Sequence, residues 1–248
     1  MAKKRAARSQ GMSLAFAAGS LCFLIGPFPG YIAVVGPVAD ATTFFVGSLL
    51  FTAGGALQAW LAAPDRQDAG NGRAAWHAAT IQLAGTIFFN ITTFRALSTA
   101  LSDPDYDRLV WRPDAFGSVC FLASGLIAYS ASSRHGLLPA RGAAGWWQPG
   151  VNLLGCVFFG VAAVAGYVVP PTGSMLDLAA ANWTTAAGAA CFLACAVSGL
   201  AGGEEAQPPS VDGNGPTAGD RPRPVGQDRA GADSPHSPGR RGRRTARP

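Results

Sequence analysis

Six stretches of this chain, 12–35, 42–63, 75–94, 115–133, 147–169 and 178–202, are rich in apolar side chains and contain no Asp, Glu, Lys or Arg. About 20 residues of helix cross the roughly 30 Å hydrocarbon layer of a bilayer, and each stretch approaches or exceeds that length. Charged residues make up 13% of the chain, about half the share usual in a soluble domain, and apolar residues 49%. The charges crowd into the first eight residues, the short connections and the end of the chain. This pattern is expected where lipid, not water, surrounds most of the surface. The expected fold class is therefore all-α: a polytopic bundle of six transmembrane helices, with a basic N-terminus (1–11), a membrane domain (12–202) and a tail (203–248).

Pro27 and Pro29 fall inside the first stretch, which is expected to kink or end early there. That stretch follows a basic segment, as a signal peptide would, but it is longer than a typical h-region and reads as a retained helix. Arg66 and Arg73 occupy the second connection, Arg134 and Arg141 the fourth, and the first and fifth contain no Lys or Arg. Both termini are then expected on the cytoplasmic side of the cell membrane. The third connection, with Arg95, Arg108 and Arg112 beside four aspartates, fits less well. The tryptophans cluster near span ends, where indoles favour the headgroup zone. From Glu204 onward the chain is rich in Pro, Gly, Asp and Arg, and this composition is expected to be disordered. Ser234-Pro235 and Ser237-Pro238 lie in it. The net charge of +5 comes mostly from the two ends. Basic ends beside apolar spans suit anionic headgroups, so nucleic acid is not an expected partner.

One motif recurs in every stretch. Gly19 and Phe23, Gly47 and Phe51, Gly85 and Phe89, Gly117 and Phe121, Gly155 and Phe159, and Gly188 and Phe192 all stand in Gly-x-x-x-Phe. Seven residues after each glycine comes a further small residue: Gly26, Gly54, Thr92, Ser124, Ala162 or Cys195. Positions i, i+4 and i+7 share one helix face. Helices in lipid gain little from hydrophobic association, so contact depends on close packing, which small residues permit. The six glycines are the expected helix-packing positions. Gly47 to Gly117 and Gly85 to Gly155 are each 70 residues, and Gly117 to Gly188 is 71. The repeating unit is thus a helical hairpin, used three times in parallel.

The strings Thr43-Phe-Phe-Val-Gly-Ser-Leu-Leu-Phe51, Gln82-Leu-Ala-Gly-Thr-Ile-Phe-Phe-Asn90, Val110-Trp-Arg-Pro-Asp-Ala-Phe-Gly-Ser118 and Gly166-Tyr-Val-Val-Pro-Pro-Thr-Gly173 resemble the YrhK-like domain membrane proteins of actinobacteria. The resemblance spans residues 42–200 and leaves out the tail. It implies a multi-pass bacterial membrane protein and carries no activity with it.

Candidate chemistry is sparse. Ionisable groups at membrane depth are expensive and mark proton paths or catalysis, and none is expected in these spans. Gln58, Gln82, Asn90, Asn152 and Asn182 remain as polar groups. Gln82 and Asn152 stand at equivalent positions, three before a motif glycine. With Asn90 they could line a polar path or bind a small polar ligand; the simpler alternative is hydrogen bonding between helices. All five cysteines lie in apolar runs and read as soft packing residues. His77 has no second ligand at i+3 or i+4. Trp111-Arg112-Pro113-Asp114 reads as a helix start with an interfacial anchor. The acidic loop 103–114 that ends there could instead hold a cation or partner outside. No nucleophile elbow, phosphate loop, zinc helix or dinucleotide fingerprint is present. No catalytic residue, cofactor or metal is expected.

Three function classes follow. A structural or protein-interaction membrane component fits first, since the repeated chemistry is packing chemistry. Its partners are the bilayer and a membrane protein or a second copy of the chain. A channel or facilitator for a small neutral solute comes second, and an enzyme is a distant third.

Overall fold

The computed structural model describes residues 2–67, 71–98, 102–134, 138–139 and 145–205. The expected disordered tail, apart from the end of the last helix, lies outside the described residues, as do Arg141 and both Ser-Pro pairs. The described part is predominantly helical. In chain order it runs α1 (Ala2–Ile25), α2 (Pro29–Val35), α3 (Pro37–Ala62) with a 3₁₀ extension (Ala63–Gln67), α4 (Asn71–Ala96), α5 (Asp103–Tyr106), a π-turn (Asp107–Trp111), and α6 (Arg112–Ser132). A two-residue ladder of β1 (Ser133–Arg134) and β2 (Leu138–Pro139) follows. Then come α7 (Gln148–Ala165), a second ladder of β3 (Val168–Val169) and β4 (Ser174–Met175), and α8 (Leu178–Glu205).

Proline marks most helix starts. Pro29, Pro37 and Pro113 each stand at the first or second helical position, where the missing N–H would have no partner in any case. α8 starts differently: Asp177 Oδ1 accepts from the Ala180 N–H at 2.8 Å, an N-cap. Gly36 adopts φ +84°, which an L side chain rarely takes, and lets the chain turn from α2 into α3.

Several expected boundaries change. The first span does not continue to Val35: α1 ends at Ile25, and α2 leaves it at 91°. The break falls at Gly26-Pro27, and Pro27 supplies no N–H to continue the helix. The fifth stretch ends at Ala165, four residues early, because 168–175 folds back as a ladder. The last helix continues through Glu205. The segment 103–114 is not a loop but a short helix, a π-turn and the start of α6.

Among the described residues four helical segments are long and apolar enough to cross a membrane: Pro37–Gln67, Asp103–Ser132, Gln148–Ala165 and Leu178–Gly202. The bent pair α1 and α2 makes a fifth if it counts as one span. α4 is 26 residues long but falls short in hydropathy. His77, Gln82, Asn90 and the threonines at 80, 86, 92 and 93 dilute its apolar content. Much of the outward surface is hydrocarbon, with Leu49, Ile87, Phe116, Val119 and Val157 all more than 40% exposed. Such a surface is expected of a chain lying in lipid.

α1 packs on α3, α4 on α6 and α7 on α8, and these pairs meet through α3–α4, α6–α7 and α8–α1, closing a ring of six helices. Within each pair the partners are antiparallel and meet glycine to phenylalanine. A methyl group on Gly19 would stand 2.9 Å from Phe51 Cδ2 and 2.9 Å from the Gly47 carbonyl oxygen; on Gly47 it would stand 3.1 Å from the Phe23 ring. On Gly85 it would lie 2.7 Å from Phe121, and on Gly117 3.2 Å from Phe89. On Gly155 it would lie 2.9 Å from Phe192, and on Gly188 2.5 Å from Phe159. Each glycine therefore receives the phenylalanine of its partner helix, and the backbones touch because no side chain intervenes.

A second set of small residues joins the pairs. The residue after each motif glycine (Ser20, Ser48, Thr86, Ser118, Cys156 or Ala189) is at most 3% exposed. Ser48 Oγ and Thr93 Oγ1 share a hydrogen bond of 2.8 Å between α3 and α4, and Ser118 Oγ donates to the Phe159 carbonyl at 3.3 Å between α6 and α7. Gly125 faces Cys156 Sγ so closely that a methyl group there would come within 3.0 Å.

The six motif phenylalanines converge inside this ring. Since partners run antiparallel, four residues beyond the glycine carry three rings about 6 Å one way along the axis and three about 6 Å the other. Phe23 and Phe89 meet Phe159 at 5.9 and 5.8 Å between ring centres, and Phe51 and Phe121 meet Phe192 at 5.8 Å each. The layers are linked within pairs, Phe23–Phe51 at 5.7, Phe89–Phe121 at 4.9 and Phe159–Phe192 at 5.5 Å. Most of these ring pairs are edge-to-face or tilted, the arrangement that aromatic quadrupoles favour. A void of about 10 Å³ remains among them, no more than one water requires.

Gly188→Ala is expected to lose about 1–3 kcal/mol of stability through overpacking against Phe159. Gly150→Ala, where a methyl group would meet nothing nearer than the Tyr129 ring at 3.7 Å, is expected to gain about 0.5–1 kcal/mol from the helix propensity of alanine. Thermal unfolding of both proteins in detergent checks the pair; equal midpoints would remove the glycines' role as contact points.

Candidate functional site

The antiparallel pairing brings one end of each helix to the end of the bundle where α1 begins. There a cavity of about 180 Å³ opens between the helices. Its floor includes Phe51 and Phe192, which belong to the central aromatic cluster. Its polar walls come from four helices: Ser13 on α1, Gln58 on α3, Gln82 on α4, and Gln148 and Asn152 on α7.

Each wall residue is placed by the packing rule of its own helix. Gln82 and Asn152 lie three before a motif glycine, one turn from the helix crossing. Gln82 is 7% exposed, and its Oε1 accepts from Ser124 Oγ at 3.3 Å, while the same hydroxyl donates to the Ala78 carbonyl at 2.8 Å. Ser124 is the small residue seven after Gly117, so the expected small position on one helix meets the polar position on its partner. The same two positions meet in the first pair, where a methyl group on Gly54 would come within 2.9 Å of the Phe16 ring. Gln148 is held by both ends: its Nε2 donates to Ser198 Oγ at 2.7 Å, and its backbone carbonyl accepts from Cys195 Sγ at 3.5 Å. Gln58 Oε1 is buried and has no hydrogen-bond partner. An orphaned buried acceptor costs about 1–3 kcal/mol.

Of the expected polar trio, Gln82 and Asn152 share this cavity and Asn90 does not. Asn90 lies on α4 eight residues beyond Gln82, at about 12 Å of axial rise. Its Nδ2 donates to Thr52 Oγ1 at 2.9 Å, between α4 and α3, and its Oδ1 is buried without a partner. The six expected glycines all sit at helix crossings. Two polar cavity residues are not singled out by the sequence reading, Gln148 and Ser13. Gln148 was legible: it stands four before Asn152 and seven before Gly155, on the same helix face. The buried small residue after each glycine was legible too, since the motif reads Gly-small-x-x-Phe in all six copies.

At the opposite end the expected helix start holds, with Pro113 and Asp114 in the first turn of α6. The expected span boundary at 115 does not: the helix begins at Arg112, and Asp114 lies about 4.5 Å of axial rise from Gly117. The expectation of no acid at depth therefore holds less well for α6 than for its neighbours. Two of the other three acids of 103–114 form ion pairs, Asp105 with Arg108 at 3.3 Å, largely exposed and so worth little, and Asp107 with Arg112 at 3.0 Å, where Asp107 is partly buried. Trp111 is not a free interfacial anchor. Its Nε1–H donates to the Ala163 carbonyl at 2.8 Å, capping an acceptor in the last turn of α7. Its ring meets Tyr167 edge-on at 4.9 Å.

Comparison with family models, curated proteins and solved structures found no match to this chain.

Gln82→Leu removes the acceptor of a hydroxyl that keeps a second partner, so the expected loss is small, about 0.6 kcal/mol, the mean for hydrogen bonds between membrane helices. A chemical-denaturation series in detergent measures it. A loss above about 2 kcal/mol would make Gln82 a structural group and not a cavity lining.

Proposed function

We propose that this chain is a six-span integral membrane protein built from three repeated helical hairpins, and that it serves as a non-conducting structural or interaction component of the membrane. α4 joins the spans in this reading because it lies in the same ring as the apolar helices and carries the same Gly–Phe contact. The three-hairpin reading is supported by equivalent residues meeting in all three pairs. The resemblance to YrhK-like membrane proteins is compatible with it and supplies no activity.

The single observation that carries the non-conducting part is the aromatic cluster. Six phenylalanines, each 7% exposed or less, close the bundle axis between the polar cavity and the other end. Among the described residues Ser48 is the polar side chain that lines the small void between the rings, and its hydroxyl is already engaged by the Phe45 carbonyl and Thr93 Oγ1, so water and polar solutes are offered no continuous hydrogen-bonded path. The facilitator reading draws on one observation, the convergence of Gln82 and Asn152 on one cavity, and would need those rings to part.

In proteoliposomes the protein is expected to show no more flux of glycerol, urea or water than protein-free vesicles, measured by stopped-flow light scattering. Flux that disappears with Gln82→Leu would overturn the proposal. For topology, single cysteines in a cysteine-free background are expected to react with an impermeant maleimide from opposite sides. Gln67→Cys is expected to label from the cytoplasm and Thr172→Cys from outside; labelling of both from one side would defeat the arrangement with cytoplasmic termini.

A further inference from the structure

The cavity beside the aromatic cluster has a chemistry that selects one kind of occupant. Apart from Ser13, its polar walls are primary amides: Gln58, Gln82, Gln148 and Asn152. A primary amide places a donor and an acceptor side by side in one plane, the complement of the edge of another amide, an imide or a heterocyclic base. Two of these groups have unused hydrogen-bonding capacity. Gln58 Oε1 is buried and unpartnered, and calls for an N–H. Gln82 is engaged through Oε1 by Ser124, which leaves its amide nitrogen as a donor. The floor supplies a different surface. Phe51 meets Phe16 at 5.7 Å and Phe192 at 5.8 Å, and rings in this arrangement offer apolar edges and faces to a flat molecule.

We infer that this cavity is a binding site for a small, uncharged, planar molecule with an amide or imide edge, entered from the end of the bundle where α1 begins. Among the described residues no Asp, Glu, Lys, Arg or His lines the cavity, so an ionised ligand would lose its water without gaining a counter-charge from them. The volume, about 180 Å³, is below the roughly 300–1,000 Å³ of sites for drug-sized ligands, which limits the guest to about one substituted ring. Orientation follows from the walls: the amide edge lies toward Gln58 and Gln82, and the ring lies over Phe51 and Phe192. The closed floor makes this a one-ended site that holds its guest without passing it on. The inference does not depend on the number of membrane crossings.

The test uses the full chain in nanodiscs, with benzamide and uracil as neutral probes and benzoate as the charged isostere of benzamide. Binding is read by saturation-transfer NMR titration and by the shift in thermal midpoint. At least one neutral probe is expected to bind saturably and to raise the midpoint, because a ligand that binds only the folded state stabilises it. Benzoate is expected to bind at least tenfold more weakly than benzamide. Gln58→Leu is the decisive variant. It replaces an orphaned acceptor with an apolar side chain, so its thermal midpoint is expected to stay level or rise while its affinity for the neutral probes falls at least tenfold. Asn152→Leu, at the wall opposite the orphaned acceptor, is expected to weaken binding as well. Failure of both neutral probes to bind, benzoate binding as well as benzamide, or Gln58→Leu leaving affinity unchanged would each overturn the site. None of these outcomes bears on the flux measurement, so the site and the non-conducting reading fail independently.

Discussion

The close approach of paired helices at their glycines is the contact on which the rest of this bundle depends. Lipid competes for apolar side chains as well as a neighbouring helix does, so helix association in a bilayer rests on packing at short range. A glycine removes the side chain that would hold two backbones apart, and a phenylalanine four residues on fills the groove this opens on the partner. Because each helix supplies both parts, the contact is reciprocal: Gly19 receives Phe51 while Gly47 receives Phe23. The same reciprocity orders the remaining positions. A small residue at i+7 leaves room for whatever the partner carries at i−3, whether the Phe16 ring against Gly54 or Gln82 against Ser124.

Two consequences follow for function. Closing three pairs into a ring drives all six phenylalanines to the axis, and the closed aromatic cluster they form is a by-product of packing. At the end where α1 begins, a space remains that the phenylalanines do not fill. That space is lined by the i−3 residues of α4 and α7 and by residues a further turn or two away. Amides are affordable there because they border a cavity and not hydrocarbon. The packing motif and the polar cavity are therefore not competing explanations of the sequence; one creates the space that the other lines.

Legibility varied by element. The motif positions were readable because i, i+4 and i+7 periodicity survives any error in helix ends. The role of the residue after each glycine was less visible, since Ser, Thr, Cys and Ala look unremarkable one at a time; their near-complete burial becomes evident only when the pairs close into a ring. Helix ends depended on neighbours. The first apolar stretch continues past Ile25 in composition, yet Pro27 cannot donate the next hydrogen bond and the chain turns through 91°. The segment 103–114 carries enough Asp and Pro to resemble a loop, but Pro104 and Pro113 stand in first turns, where proline does no harm. The helix start at Trp111–Asp114 is legible from Pro113, but the helix begins before Asp114 and takes it into the same segment as Gly117.

Charge placement, apolar length and the six-fold Gly-x-x-x-Phe were sufficient, from sequence alone, to specify helices, several of them long and apolar enough to cross a membrane, and the faces through which they touch. These are properties of single helices, set by local composition and the 3.6-residue period. Which polar residues would meet was decided only by tertiary structure. Gln82 and Asn90 lie on the same helix, yet antiparallel pairing sends Gln82 into a cavity with Asn152 and leaves Asn90 bonded to Thr52, near the other layer of rings. Convergence of side chains from four helices depends on crossing geometry and on the closure of the ring, and no periodicity within one helix encodes either.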